Sequence, residues 1–317
     1  NMPTQFEGTF DDVVLGWQQY EKQTAIAARM HASKGVDLVV WPESTFSGGW
    51  PWLDTKDKSF ISSELELSSE KIEAWKSQID VKIQRLQAPF GSLRPKFLLG
   101  TDAVRLQSGK ASSYNSALWV DTEKSQACEY YAKQHLVMFG EYIPFASLFS
   151  SWIELRQIEA GVKPMAWQLP SGVTVSPSIC FEDVLPHLIH SHVRQLTAMG
   201  KPPDILVNIT NDGWFRGSSI LDHHLNNAIL AAVENRRPML VAANLGISAW
   251  IDGDGRVVQS LPRMEPGSIL AEPIPDGRWG LWQTIGDWPA RCFAIVSCLP
   301  FLFGLAKRIF AKRHLPD

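Results

Sequence analysis

Short apolar runs alternate with longer segments of helical spacing along most of this chain, and that alternation restricts it to a layered α/β architecture. Val13–Lys34 has helical spacing and stops at Gly35. Leu38–Trp41 follows as a short buried strand ended by Pro42. Ser69–Gln87 reads as a polar amphipathic helix. Further strands are expected at Phe97–Thr101, Ser116–Val120, Cys128–Tyr131, Val173–Ile179, Ile205–Ile209 and Met239–Ala243, with helices at Leu185–Met199 and Ser219–Asn235. Ser248–Ile251 and Arg256–Gln259 flank Asp252-Gly253-Asp254-Gly255, a tight hairpin turn, so the sheet structure is mixed rather than purely parallel.

Catalytic groups in such folds sit at the carboxyl ends of strands. Three polar residues fall at such ends: Glu43 after Leu38–Trp41, Lys133 after Cys128–Tyr131, and Cys180 after Val173–Ile179. A thiol becomes a strong nucleophile only when it loses its proton, and a carboxylate beside it can accept that proton. An ammonium stabilises both the thiolate and the oxyanion formed when a carbonyl is attacked. Backbone N–H groups just after Cys180, at the start of a short turn, are expected to complete an oxyanion hole. The pattern therefore points to acyl transfer, with charges coupled closely enough that no single residue owns a titration step.

Composition removes several other classes. The cysteines at 128, 180, 292 and 298 show no CxxC and no Cys/His pairing, so neither a zinc site nor a disulfide framework is indicated. No metal or cofactor is expected. A net charge of −3 leaves no broad basic field, and nucleic acid is not an expected partner. Thirteen tryptophans suit interfaces and large apolar clefts.

The words around the three candidates carry a resemblance. Glu43 stands in Val39-Val40-Trp41-Pro42-Glu43-Ser44, and Lys133 in Tyr131-Ala132-Lys133-Gln134-His135-Leu136-Val137-Met138-Phe139-Gly140-Glu141-Tyr142-Ile143-Pro144. Cys180 stands in Ile179-Cys180-Phe181-Glu182-Asp183. Downstream come Asn208-Ile209-Thr210-Asn211-Asp212-Gly213-Trp214-Phe215, Arg236-Arg237-Pro238 and Asn244-Leu245-Gly246-Ile247-Ser248. In this order the words resemble the nitrilase superfamily and, within it, the apolipoprotein N-acyltransferase family, over nearly the whole chain.

The resemblance implies a nitrilase-like αββα sandwich with mixed sheets over residues 1–287. A transmembrane helix over 288–310 and a basic cytoplasmic tail over 311–317 would follow. It implies Cys180 as the nucleophile that takes an acyl chain from a phospholipid, Glu43 as general base and Lys133 as oxyanion-stabilising cation. Glu141, Glu182 and Phe181 would support the site. The acceptor would be the α-amine of a diacylglyceryl-modified N-terminal cysteine on a lipoprotein. The implied location is the bacterial inner membrane, with the catalytic domain on the periplasmic side.

The tail supports membrane contact on its own terms. Cys292–Ala306 is fifteen residues without a charge, followed by Lys307, Arg308, Lys312 and Arg313. That is short of a span of about twenty, which snorkelling by Arg291 and Lys307 and an interfacial Trp288 would make up. The basic cluster predicts a cytoplasmic C-terminus. The plainer reading is a terminal helix buried on the domain.

Some features depart from the family pattern. Met138 replaces the usual Pro, and Ser44–Trp52 differs from the usual segment after the glutamate. The first residue, Asn1, is not methionine. The family's N-terminal membrane helices and first catalytic strand have no counterpart here, and the sequence reads as a fragment.

Plainer readings stand beside the sharp ones. Glu141 and Glu182 serve equally well as structural salt-bridge partners. Cys128, Cys292 and Cys298 read as buried core residues. His187, His190, His192, His223 and His224 read as ordinary surface histidines, since their helical spacing does not gather a ligand set. The competing functions are a nitrilase-type amidase using water as acceptor, and a non-catalytic scaffold. Many hydrolases of the superfamily carry an Arg soon after the cysteine, which Cys180-Phe181-Glu182-Asp183 does not.

Overall fold

The apolar strands of this chain must bury both faces, and they do so by stacking two sheets between two helical layers. A computed structural model describes residues 10–31, 33–47, 51–55, 69–107, 110–122, 128–144 and 158–312 of the 317. The first half holds α1 (Phe10–His31), β1 (Leu38–Trp41), β2 (Trp52–Thr55), α2 (Ser69–Gln87), β3 (Lys96–Gln107), β4 (Lys110–Val120) and β5 (Cys128–Ala132). The second half holds β6 (Trp167–Gln168), β7 (Thr174–Ile179), α3 (Pro186–Ala198), β8 (Ile205–Asn211), α4 (Ile220–Asn235), β9 (Met239–Asn244), β10 (Ser248–Ile251) and β11 (Val257–Leu261). Two helices close the described chain, α5 (Leu281–Ile285) and α6 (Trp288–Lys312).

Among the described residues, one sheet has the order β1-β3-β4-β5 with β2 also on β3, and the other runs β11-β10-β9-β8-β7-β6. β1 lies parallel to β3, while β4 is antiparallel to both β3 and β5. Hence β1 and β5 point the same way. β7, β8 and β9 are parallel to one another. Strand side chains alternate between faces. Phe97 and Leu99 of β3 therefore enter the core under α1 and α2, with Trp17, Ile79, Ile83 and Leu86. Leu98 between them joins the core between the sheets, with Ile179, Val207 and Ile209. Leu206 of β8 turns the other way, against Ile189, Val193, Ala228 and Ala232 of α3 and α4. This is the expected αββα sandwich with mixed sheets.

Several elements differ from the expectation. β3 and β4 extend as one long ladder from Phe97↔Val120 to Gln107↔Lys110. The polar residues of the extension find lateral partners: Arg105 donates to Asp54 (3.1 Å) and to the Tyr130 hydroxyl (2.6 Å). β2 has little strand character of its own and is held by parallel pairing of Trp52–Thr55 with Ala103–Leu106. Three of the five histidines are buried rather than on the surface. His190 donates its Nε2–H to the Gln283 backbone carbonyl at 3.1 Å. His192 receives the Gln134 amide at 2.9 Å and is held neutral by burial, its pKa lowered to about 4. His224 is taken up below.

The tail departs from the plainer of the two readings given above. α6 forms, but Trp288, Phe293, Ile295, Val296, Leu299, Phe301, Leu302 and Phe303 are all exposed, so it is not a terminal helix buried on the domain. Cys292 and Cys298 lie exposed on it and are not core residues. The side chain of Cys128 lies outside the described residues. Among those residues no helix is long and apolar enough to cross a membrane, so a full span over 288–310 is not established. The physical reason is the short uncharged run, bounded by Arg291 and Lys307.

Candidate active site

Glu43, Lys133 and Cys180 each follow a strand whose carboxyl end opens on the same rim, and the fold brings them together there. Glu43 sits two residues past β1 on a loop drawn tightly against β3. A Cβ at Gly100 would collide with the Pro42 carbonyl and the Glu43 backbone, so only glycine permits this approach. Ser44 then takes a positive φ of 55°, a conformation that active-site turns tolerate at an energetic cost.

Lys133 is 1 % exposed, the reverse of the solvated lysine that composition alone would suggest. Its Nζ lies 2.9 Å from Glu141 Oε1 and 3.7 Å from Glu43 Oε1. Asn115, from the middle of β4, donates to both carboxylates, at 2.6 Å to Glu43 and 2.9 Å to Glu141. The second oxygen of Glu43 accepts the Asn211 N–H at 2.8 Å, which ties the loop after β1 to the second sheet. Glu141 Oε2 accepts the Val137 N–H at 2.8 Å and closes the loop after Lys133.

Glu182 plays a different part. It is fully buried, and among the described residues the carboxylates paired with Lys133 are Glu43 and Glu141 instead. Its carboxylate accepts the backbone N–H groups of Gln134 (2.6 Å), His135 (3.1 Å) and Ile179 (2.8 Å), plus the Tyr131 hydroxyl (2.9 Å). It therefore staples the lysine loop to the cysteine turn. Phe181 lies partly exposed with its ring tilted against His135 at 6.3 Å. Cys180 opens a 3-10 turn (Cys180–Val184) with a positive φ of 51°. The first N–H groups of such a turn have no partner within it and remain available to an oxyanion.

The electrostatics suit a thiol that is deprotonated on demand. Burial, then the Glu43 charge, push the Cys180 thiol well above its usual range, against the pull of Lys133 and Thr210. Burial likewise raises Glu43, despite Lys133 and the Asn115 hydrogen bond. For Lys133, burial acts downward but is outweighed by Glu43, Cys180 and Glu141, and the ammonium is held charged above its ordinary value. The resting site thus pairs a neutral thiol with an unusually basic carboxylate and a fixed cation. Attack on a carbonyl would pass the thiol proton to Glu43 while Lys133 meets the growing negative charge.

A pH dependence follows from the raised Glu43. The protonated, inactive carboxyl persists to higher pH than in a free glutamate. Thioester formation is expected to rise with pH along a limb centred above about 4.3, the ordinary glutamate value. The apparent value belongs to the coupled cluster. Single-turnover rates measured across pH check this; a limb at or below the ordinary glutamate value refutes the raised base.

Sequence reasoning assigned no role to Asn115, Tyr131, Asn208 or His224, all of which line or brace this site. Asn115 carried no usable signal: it stands among Ser112, Ser113 and Ser116, just ahead of the expected strand Ser116–Val120.

The sequence pattern described as "Carbon-nitrogen hydrolase" matches residues 7–283. An apolipoprotein N-acyltransferase of Rhodopirellula baltica is 34% identical over 313 residues, covering 91% of this chain and 53% of that protein. One of Haemophilus ducreyi is 30% identical over 260 residues, covering 78% and 48%. The chain therefore spans about half the length of the curated relatives it matches. Among solved structures, the amidase from Nesterenkonia sp. AN1 superposes with a TM-score of 0.51 at 15% identity, covering 81% of this chain and 82% of that one. The glutamine-dependent NAD+ synthetase from Acinetobacter baumannii does so with a TM-score of 0.51 at 14% identity, covering 80% and 41%. At such identities the likeness concerns the fold alone.

Proposed function

The chain belongs to the carbon-nitrogen hydrolase family, and from that premise we propose that it is the catalytic part of an apolipoprotein N-acyltransferase, with Cys180 as nucleophile, Glu43 as general base and Lys133 as oxyanion cation. The observation that carries this reading is the buried Lys133, set between two carboxylates beside a cysteine, in a chain related to named N-acyltransferases over most of its length.

The reaction runs in two acyl transfers. Cys180 sulfur attacks the ester carbonyl of a phospholipid as its proton passes to Glu43. The C–S bond forms, the C–O bond breaks, and the lysophospholipid oxygen leaves with the proton from Glu43. The α-amine of a diacylglyceryl-cysteine then attacks the thioester. The C–N bond forms, the C–S bond breaks, and Glu43 returns the amine's proton to the thiol. Neither step calls for a metal or a cofactor. Glu141 holds Lys133, and Glu182 holds the two loops in register.

Lipid substrates agree with the exposed side chains on the loops that carry the site. Met138, Phe139, Phe181 and Trp214 stand exposed there, Phe139 at 76%. An apolar rim excludes water from a thioester that water would otherwise hydrolyse. α6 supports a membrane location: a helix with exposed apolar side chains on all sides is stabilised in lipid, not in water. In this reading residues 1–287 form the catalytic domain and 288–310 the membrane helix, with Arg291 and Lys307 snorkelling to the two interfaces. Residues 311–317 form a basic cytoplasmic tail, and the domain faces the periplasm of a bacterial inner membrane.

The test supplies labelled phospholipid and a diacylglyceryl-cysteine peptide to the chain in lipid. Label on the peptide α-amine, passing through a hydroxylamine-sensitive bond to Cys180, is the expected result. Release of free fatty acid at the same rate with or without peptide would make the protein a hydrolase and overturn the proposal.

A further inference from the structure

We infer that His224 is a positioning residue for acyl transfer: clamped between Asp183 and Asp212, it holds the Cys180 carbonyl and thereby aims the Phe181 N–H into the oxyanion site. The inference rests on the acyl-transfer reading of the Cys180 site, though not on the identity of the acyl donor.

His224 lies on the inner face of α4, buried, with Asp183 and Asp212 buried around it. Its Nδ1 is 2.9 Å from Asp212 Oδ1, and its Nε2 is 3.0 Å from Asp183 Oδ1. A neutral imidazole has one N–H and can serve only one of these acceptors; the imidazolium has two and serves both. Burial opposes the charge, but Asp183 and Asp212 outweigh it and raise the group to about 11. The Thr210 hydroxyl donates to the same Asp212 oxygen at 2.8 Å, so the acceptor is itself fixed.

What this cation reaches is the nucleophile's own backbone. His224 Nε2 lies 3.3 Å from the Cys180 carbonyl oxygen, and Asn208 Nδ2 donates to that oxygen at 3.1 Å. Asn208 is in turn oriented by Ser178, at 3.1 Å. Cys180 adopts a left-handed φ that a residue with a Cβ does not choose unaided, so its peptide needs external restraint. The 180–181 peptide is planar, with C=O and N–H on opposite sides. Two donors gripping the carbonyl from one side therefore turn the Phe181 N–H to the other. Asp183 belongs to the same turn, so the clamp holds that turn at two points.

A merely structural histidine and a positioning one differ in what they disturb. Alkylation of the thiol by iodoacetamide needs thiolate but no oxyanion hole. Acylation by an ester needs both. The experiment compares native protein with His224→Gln, reading Cys180 acylation as the p-nitrophenol burst from p-nitrophenyl butyrate. Cys180 alkylation by iodoacetamide is followed by peptide mass mapping. Acylation is expected to fall about tenfold to a hundredfold in maximal rate, in the range for weakening one oxyanion donor, with ester half-saturation and alkylation within about twofold of native. Parallel loss of both reactions, or no loss of either, overturns the inference. Should His224→Gln fail to fold, Asp183→Asn decides: it keeps the volume and one anchor, and a folded variant with native acylation overturns the inference. Because the probe is not a phospholipid, a wrong donor assignment leaves this result standing, and a failed clamp leaves the donor assignment standing.

Discussion

Replacing Cys180 with alanine is expected to abolish acyl transfer, with a loss on the order of a millionfold, while leaving folding nearly unchanged. The size of the effect follows from losing the nucleophile, after which the remaining groups have nothing to activate; nucleophile deletions in comparable enzymes cost about that much. The small effect on stability has three causes. Alanine keeps the Cβ, so the strained φ of 51° is neither relieved nor worsened. The thiol is neutral at rest, because burial and Glu43 hold its proton on, so no buried charge is unpaired. The lost volume is one sulfur at a half-buried position, a change of about 1 kcal/mol. Covalent labelling by acyl donor and a thermal melt together test this. Normal lipoprotein acylation by Cys180→Ala would refute the nucleophile assignment outright.

Lys133→Met is expected to damage both activity and stability, and so to differ in kind from the cysteine variant. The ammonium, itself buried, sits 2.9 Å from one carboxylate and 3.7 Å from another. Removing it leaves Glu43 and Glu141 facing each other with only the Asn115 amide between them. Breaking such a buried pair from one side costs about 3–5 kcal/mol, which for a domain of this size lowers the melting temperature on the order of 10 °C. Acyl transfer loses the oxyanion cation as well, about a hundredfold to a thousandfold. A second substitution separates the two losses. Glu141→Gln added to Lys133→Met removes the repulsion and should recover much of the melting temperature without recovering the rate. A Lys133→Met protein that acylates within tenfold of native would sink the proposed role, whatever its melting temperature.

Much of this molecule was legible in the residues alone, and the parts that were not share a cause. β1 and β10 stand at their expected bounds, because short apolar runs closed by Pro42 or by a glycine turn have few alternatives. β2 was missed, since Trp52–Thr55 becomes a strand only through pairing with a distant partner in β3. Glu43, Lys133 and Cys180 were visible as polar residues after apolar strands, and their convergence is what strand direction in a layered fold produces. Glu182 was visible only as a nearby acid. Its actual work, accepting three backbone N–H groups from two loops, depends on how those loops pack. His224 was read as a surface residue because its neighbours in the chain say nothing of the two aspartates that surround it.

Local sequence determined the layered α/β class, most of the strands and helices, and which side chains stand at the strand ends, because periodicity and turn chemistry act over a few residues and need no partner. Tertiary structure alone decided the charge balance and the second ring of contacts: that Lys133 is buried yet held charged, that burial raises Glu43, and that His224 reaches the Cys180 carbonyl. Desolvation and Coulomb energy depend on distances between residues far apart in the chain, and only the folded packing of the two sheets sets those distances.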